Sequence, residues 1–149
     1  MRVLLVGSSG GHLAQLLCLR PWWSEYERHW VTFQTEDAVS RLAEESVTWA
    51  HHPTTRNVPN LVRNAALARR VLREQRPDVV ISTGAGVAVP FFWLARLHGI
   101  ASVYLEVYDR IDSRTVTGRL CRPVADLFLV QWSDQLRLYP SSVLLGPVW

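Results

Sequence analysis

Apolar residues along the chain alternate between short unbroken runs and longer stretches in which they recur at helical spacing. RVLLV (Arg2–Val6), closed by Gly7, predicts a buried strand. Leu13, Leu16, Leu17 and Arg20 then fall at helical spacing, and Pro21 is expected to end that helix. His29–Gln34 is the second expected strand, 37–45 a short helix and Val47–His51 the third strand. Residues 52–60, rich in Pro, Thr and Asn, are expected to be a loop. The longest helix is expected over Pro59–Arg76, with Pro59 in its first turn and Leu61, Ala65, Ala68 and Leu72 as its apolar stripe. Val79–Ser82 reads as the fourth strand. TGAG follows, then an apolar helix over about Ala88–His98 with Pro90 in its first turn and Gly99 at its stop. Ser102–Val107 is the fifth expected strand, 113–121 a weak helix, Asp126–Gln131 the sixth strand and Val143–Leu145 a short last segment.

This alternation predicts an α/β, Rossmann-like, doubly wound parallel sheet with helices on both faces and right-handed crossovers. Ligands of such a sheet bind beyond the carboxyl ends of the strands, where the strand order reverses. Residues 1–149 read as one domain, with neither repeat nor linker.

With 48% apolar and 19% charged residues, the chain is not a disordered one. Cys18 and Cys121 are too few for a disulfide scaffold, have no metal-ligand spacing, and are expected to be inert core thiols. No apolar run approaches the ~20 residues that cross a bilayer, and the opening run is too short for a signal peptide, so a cytoplasmic location is expected. The net charge is +3, and all 16 basic residues are arginine. That balance permits an acidic partner or an anionic membrane surface and does not call for nucleic acid.

GSSGGH (7–12) joins the first strand to the first helix. Its glycines allow a sharp turn and a close ligand approach, and the helix start offers N–H groups to an anion. The spacing is neither GxGxxG nor a P-loop, so a purely structural turn is the alternative. His12, ending this loop, is a candidate base or phosphate donor, or else a packed or capping histidine. TGAG (83–86) repeats the design after the fourth strand, which places two glycine-rich loops on one ligand. The run Val87–Ala95 is either a buried helix or a partly exposed patch for a lipid or a partner. In LEVYDR (105–110), Glu106, Asp109 and Arg110 stand at a strand's carboxyl end, either facing the cleft or forming a surface ion pair. Arg63, Arg69, Arg70, Arg73 and Arg76 load the long helix, as a solvated face or as a contact with anionic lipid. Trp22 and Trp23 suit a membrane or protein interface. His51 and His52 are adjacent, point opposite ways and make no metal pair.

The order GSSGGH, TGAG, YLEVYDR, TGRL, ADLFLVQW resembles, along essentially the whole chain, the small subunit of split GT-B glycosyltransferases. Its eukaryotic member is the membrane-recruiting subunit of the UDP-N-acetylglucosamine transferase of dolichol-linked oligosaccharide synthesis. Its bacterial members are enhancer subunits of capsule and exopolysaccharide transferases. ADLFLVQW is the most specific segment, having no general Rossmann explanation. The GGH loop is shared with the one-chain transferase that makes lipid II.

The resemblance implies the N-terminal half of a GT-B enzyme, silent without a second subunit that binds the UDP-sugar. This half would bind a polyprenyl-diphosphate-linked sugar acceptor, peripherally at the cytoplasmic face of the membrane. By motif, Ser9, Gly10, Gly11 and His12 would line the acceptor diphosphate or the reacting hydroxyl, with Gly84 and Gly86 beside them. Glu106 and Arg110 fall on an E-S-x-x-R-like segment in which Val107 replaces the serine, which implies Glu106 as a catalytic residue beside His12 and Arg110 as a ligand of the acceptor phosphates. No DxD motif appears, so neither metal nor other cofactor is expected on this chain. A covered, interfacial end at Trp149 is expected too. Two other readings compete: a non-catalytic scaffold that recruits a catalytic chain, and a nucleotide-binding oxidoreductase. The glycine spacing and the Gln34–Thr35 pair after strand two, where an acid belongs, count against the second.

Overall fold

The computed structural model describes residues 1–148, and Trp149, expected at an interface, lies outside the described residues. The elements in chain order are β1 (Arg2–Val6), α1 (Gly11–Cys18), α2 (Arg20–Trp23), β2 (Glu27–Phe33), α3 (Glu36–Arg41), β3 (Val47–Ala50) and α4 (Val58–Gln75), followed by β4 (Val79–Ser82), α5 (Ala88–Leu97), β5 (Ala101–Leu105), α6 (Val116–Cys121), β6 (Leu127–Val130), α7 (Gln135–Leu138) and β7 (Val143–Leu144). The strands form one seven-stranded sheet in the order β3-β2-β1-β4-β5-β6-β7, parallel at each pairing. The order reverses between β1 and β4, as the expected doubly wound sheet requires.

The period of two along β1 divides the core. Leu4 and Val6 join the cluster formed with Leu67, Ala68, Val71 and Leu72 of α4 and Phe91, Phe92 and Ala95 of α5. Val3 and Leu5 face the other way, toward Leu13 and Leu16 of α1, Trp23, Trp30, Ala38 and Leu42. Helices therefore cover both faces, which is why β1 and β4 read as unbroken apolar runs.

The helix ends carry local signals. Asn57 caps α4 by accepting the Asn60 N–H at 2.9 Å, and Arg76 ends it in the left-handed conformation. Inside α4, the buried Asn64 side chain accepts the His51 N–H and donates to the His51 carbonyl, both at 2.9 Å. That pairing holds the chain where it leaves β3.

Several boundaries differ from the sequence reading. Pro21 does not stop the helical region but enters a second short helix, α2, at its first turn, where a missing N–H costs nothing. β2 begins earlier, at Glu27, and α3 ends earlier, at Arg41. β5 stops at Leu105, because Glu106 turns its carboxylate onto the Val107 N–H and takes the chain off the sheet. α7 has no counterpart in the expected elements, since four residues are too few to show a period. Trp23 is not a surface residue: it packs edge-to-face on Trp30 at 5.4 Å and donates its indole N–H to the Leu16 carbonyl. Trp22 and Trp93 are exposed, and α5 is buried along Ala88, Phe91, Phe92 and Ala95 but open at Trp93 and Leu97. Cys121 is a buried thiol pushed up to about 12 by that burial, and Cys18 is half-buried.

Phe91→Ala should lower unfolding free energy by about 3–5 kcal/mol, measured as a shift in urea midpoint at constant m-value, because the ring is fully enclosed between helix and sheet. Leu97→Ala on the open side of the same helix should change it by less than about 0.5 kcal/mol.

Candidate functional site

Because β1 and β4 are neighbours, the loops that follow them meet over the carboxyl ends of the strands. Two reciprocal hydrogen bonds join them. Thr83 Oγ1 donates to the His12 carbonyl at 2.8 Å, and His12 Nδ1 lies 2.9 Å from the Thr83 carbonyl. A carbonyl only accepts, so Nδ1 carries the proton and Nε2 keeps a lone pair. Burial holds the imidazole below its ordinary pKa, against the opposing pull of the Thr83 hydrogen bond and the Asp109 charge. His12 is therefore a neutral base at pH 7. The approach needs Gly84: its φ is +120°, and a Cβ there would sit 2.9 Å from His12 Cε1 and 3.0 Å from the Tyr104 hydroxyl.

A cleft of about 620 Å³ opens at this point. Ser8, Ser9 and His12 line it from the first loop, and Ala85 and Gly86 from the second. Tyr104, Val107, Asp109 and Arg110 form the side toward β5, with Thr115 and Thr117 beyond. The loop before α4 closes the opposite side with His52, Pro53, Thr54 and Thr55. This loop packs tightly on Gly86, where a Cβ would lie 3.0 Å from Thr54 Cβ. Hydroxyls are the commonest polar groups of the lining, with the carboxylate of Asp109 and the guanidinium of Arg110 as its charges, a composition suited to a polar, phosphate-bearing or saccharide ligand.

Of the candidate site residues singled out from the sequence, Ser9, His12, Gly86, Asp109 and Arg110 line this one cleft. Gly84 lies directly behind His12, while Gly10 and Gly11 form the cap and first residue of α1. Glu106 does not reach the lining. It is 0% exposed, and its carboxylate accepts the Val107 N–H at 3.0 Å, the Thr115 hydroxyl at 2.9 Å and the Tyr139 hydroxyl. Strand period sets its direction: Tyr104 packs toward Phe92 and Phe128 under α5 and α6, and Glu106, two residues on, points to the same layer. Burial raises its pKa, opposed by the hydrogen bonds from Tyr139, Val107 and Thr115. Thr115 also caps α6 by accepting the Gly118 N–H at 2.9 Å. Gly118 has no room for a side chain against Glu106 Oε2 and the Tyr139 hydroxyl.

Asp37 was not anticipated. Its carboxylate accepts the Gly10 N–H at 3.1 Å and the Thr35 hydroxyl at 2.6 Å, and these bonds, the hydroxyl foremost, hold it below the usual carboxylate range. An acid thus does follow the second strand, three residues beyond Gln34, within reach of the glycine loop. The Thr35-x-Asp37 pair at the start of α3 was the available signal. Thr54, Thr55 and Thr115 had no comparable one, because threonines in loops are ordinary turn residues, whereas Thr117 opens the TGRL motif. Among the described residues no group of three His, Cys, Asp or Glu side chains gathers to hold a metal ion, and no helix is long and apolar enough to cross a membrane.

Comparison with known proteins gives a sequence family and a set of structures with the same fold. The family described as oligosaccharide biosynthesis protein Alg14 like matches residues 50–148. The UDP-N-acetylglucosamine transferase subunit ALG14 of Mus musculus is 26% identical over 180 residues, covering 99% of this chain and 83% of that one. That of Eremothecium gossypii is 37% identical over 101 residues, covering 60% and 45%. Among solved structures, Acinetobacter baumannii MurG superposes with a TM-score of 0.78 at 17% identity, over 97% of this chain and 45% of that one. Staphylococcus aureus MnaA, solved with UDP, gives 0.72 at 15% identity, over 99% and 44%. The chain thus spans less than half the length of these two structures, and the likeness is one of fold. Sequence family and sheet architecture agree: the chain belongs to the Alg14-like family of oligosaccharide biosynthesis proteins.

Proposed function

We propose that this chain is one subunit of a two-chain glycosyltransferase in which its cleft receives a polyprenyl-diphosphate-linked sugar acceptor and a second chain holds the UDP-sugar. The observation that carries the reading is His12, a neutral imidazole whose Nδ1 is committed to Thr83 and whose Nε2 is left to act, at the point where the strand order reverses. Nε2 takes the proton from an acceptor hydroxyl as that oxygen bonds to the anomeric carbon of the donor. The bond from that carbon to the nucleoside diphosphate breaks, and the diphosphate leaves with the electron pair. The imidazolium so formed is stabilised by the Thr83 carbonyl and by the negative field of Asp109. Ser9, Gly10 and Gly11 orient the acceptor sugar, Gly84 and Gly86 allow the loops to close on it, and Arg110 supplies positive charge toward its diphosphate. Glu106 acts from behind the cleft as a positioning residue, holding the start of α6 through Thr115.

The relatives named as transferase subunits support a heteromer. We place the protein at the inner face of the membrane, bound peripherally. In α4, Val58, Leu61 and Val62 are exposed in the first turns, and Arg63, Arg69, Arg70 and Arg73 further along. This pairing of apolar and cationic surface suits an anionic bilayer.

Sugar transfer to a lipid-diphosphate acceptor should require both this chain and its partner, each being silent alone. In the assembled enzyme His12→Ala should lower kcat by about 10²–10⁴-fold. Full activity from this chain alone would overturn the two-chain reading, and turnover within a few-fold of wild type would leave a recruiting role instead. Since only neutral His12 accepts the proton and its pKa is depressed, kcat/KM should stay level from pH 7 through the ordinary imidazole value and fall only at more acidic pH. His12→Gln should abolish that acid limb. In vesicle flotation, binding should be stronger to anionic than to neutral lipid and should weaken as salt shortens the Debye length from about 10 Å at 0.1 M.

A further inference from the structure

Gln131 and Trp132 close the run ADLFLVQW, and neither lines the cleft. Together with Gln135 at the start of α7, they direct their side-chain N–H groups onto the backbone of one segment, Glu106–Arg110. Gln131 Nε2 donates to the Glu106 carbonyl at 2.9 Å. Gln135 Nε2 donates to the carbonyls of Val107 at 2.9 Å and Arg110 at 3.1 Å. Trp132 Nε1 donates to the Tyr108 carbonyl at 2.6 Å. This segment has left the sheet, and the Glu106 N–H makes its last contact with β6, at the Leu129 carbonyl.

The remaining capacity of the two amides is also used. Gln135 Oε1 accepts the backbone N–H groups of Gln131 at 2.8 Å and Trp132 at 3.1 Å. Gln131 Nε2 reaches Gln15 Oε1 of α1 at 2.6 Å, and Gln131 Oε1 accepts the Val148 N–H at 3.1 Å. Gln131 and Gln135 are 1% and 0% exposed. A buried amide is unfavourable unless its donors and acceptors are all paired, and when they are paired it admits one geometry where an apolar side chain would admit several. The cleft-lining segment is therefore held by a rail of three side chains, not by ladder bonds.

We propose that Gln131, Trp132 and Gln135 are positioning residues that hold segment 106–110 so that Asp109 and Arg110 face the cleft beside His12. The inference rests on the subunit reading above for its kinetic consequence, but not for its structural one. It also accounts for the glutamine and tryptophan of ADLFLVQW, which the sheet itself does not require.

The test uses the full chain with its partner and two variants. Gln135→Met keeps the side-chain length and removes four hydrogen bonds. Trp132→Phe removes one donor and keeps an aromatic ring, so it folds even if the first does not. Amides 107–110 should exchange with deuterium about tenfold faster in Trp132→Phe, and faster still in Gln135→Met, with β1 and β4 amides unchanged. KM for the lipid-linked acceptor should rise by about fivefold or more, while KM for the UDP-sugar stays at its wild-type value. Wild-type exchange at 107–110 in Trp132→Phe would overturn the proposal. So would faster exchange with no change in acceptor KM, or an equal rise in both KM values. If the wild-type pair transfers no sugar, the subunit reading fails by itself, and the exchange rates decide the rail.

Discussion

The hydrogen-bond exchange between His12 and Thr83 ties the two halves of the sheet together where their order reverses. It joins residues 71 positions apart in sequence through one backbone carbonyl from each. Parallel strands place both loops at the same end of the sheet, but nothing in the sheet ladder fixes how those loops lie. The threonine hydroxyl and the imidazole fix that, and in doing so they select the tautomer of the histidine. The stereochemistry of Gly84 follows, because a side chain there would push the ring out of this position.

Two carboxylates near the site show how environment, not residue type, sets chemical character. Asp37 lies in the open, bonded to a backbone N–H and a hydroxyl, and is held in its charged form. Glu106 is enclosed, and burial favours its protonated form although three groups donate to it. From the chain alone the two acids look alike, and Glu106, at the end of a strand, looks the better placed for the cleft. Its bonds to the Val107 N–H and to the hydroxyls of Thr115 and Tyr139 hold it behind the cleft instead.

The legible part of the fold was the part with a repeating signal. Unbroken apolar runs marked β1 and β4, and the glycine loops after them marked the reversal of strand order. Helical spacing marked the longest helix, α4, although its buried face runs through Asn60, Asn64, Leu67, Ala68, Val71 and Leu72 and leaves Leu61 of the expected stripe exposed. What lacked a repeat was not legible: α7, the end of β5 and the burial of Trp23 depend on single contacts made by distant segments. The site divides in the same way. Ser9, His12, Gly86 and Arg110 belong to motifs that stand out in the sequence. The loop carrying Thr54 and Thr55 and the threonines before and in α6 come to the cleft only through tertiary packing.

The contact of Asp37 with Gly10 bears on which end of a ligand meets the start of α1. A free helix start attracts anions, yet here an N–H beside that start already serves a fixed carboxylate. A diphosphate laid at the same place adds a second negative group to an occupied donor and is repelled by the first. A sugar hydroxyl donates to a carboxylate and is drawn in by it. The glycine loop with Asp37 in place is thus polarised toward hydroxyls, while the guanidinium of Arg110 is a cation of the cleft lining.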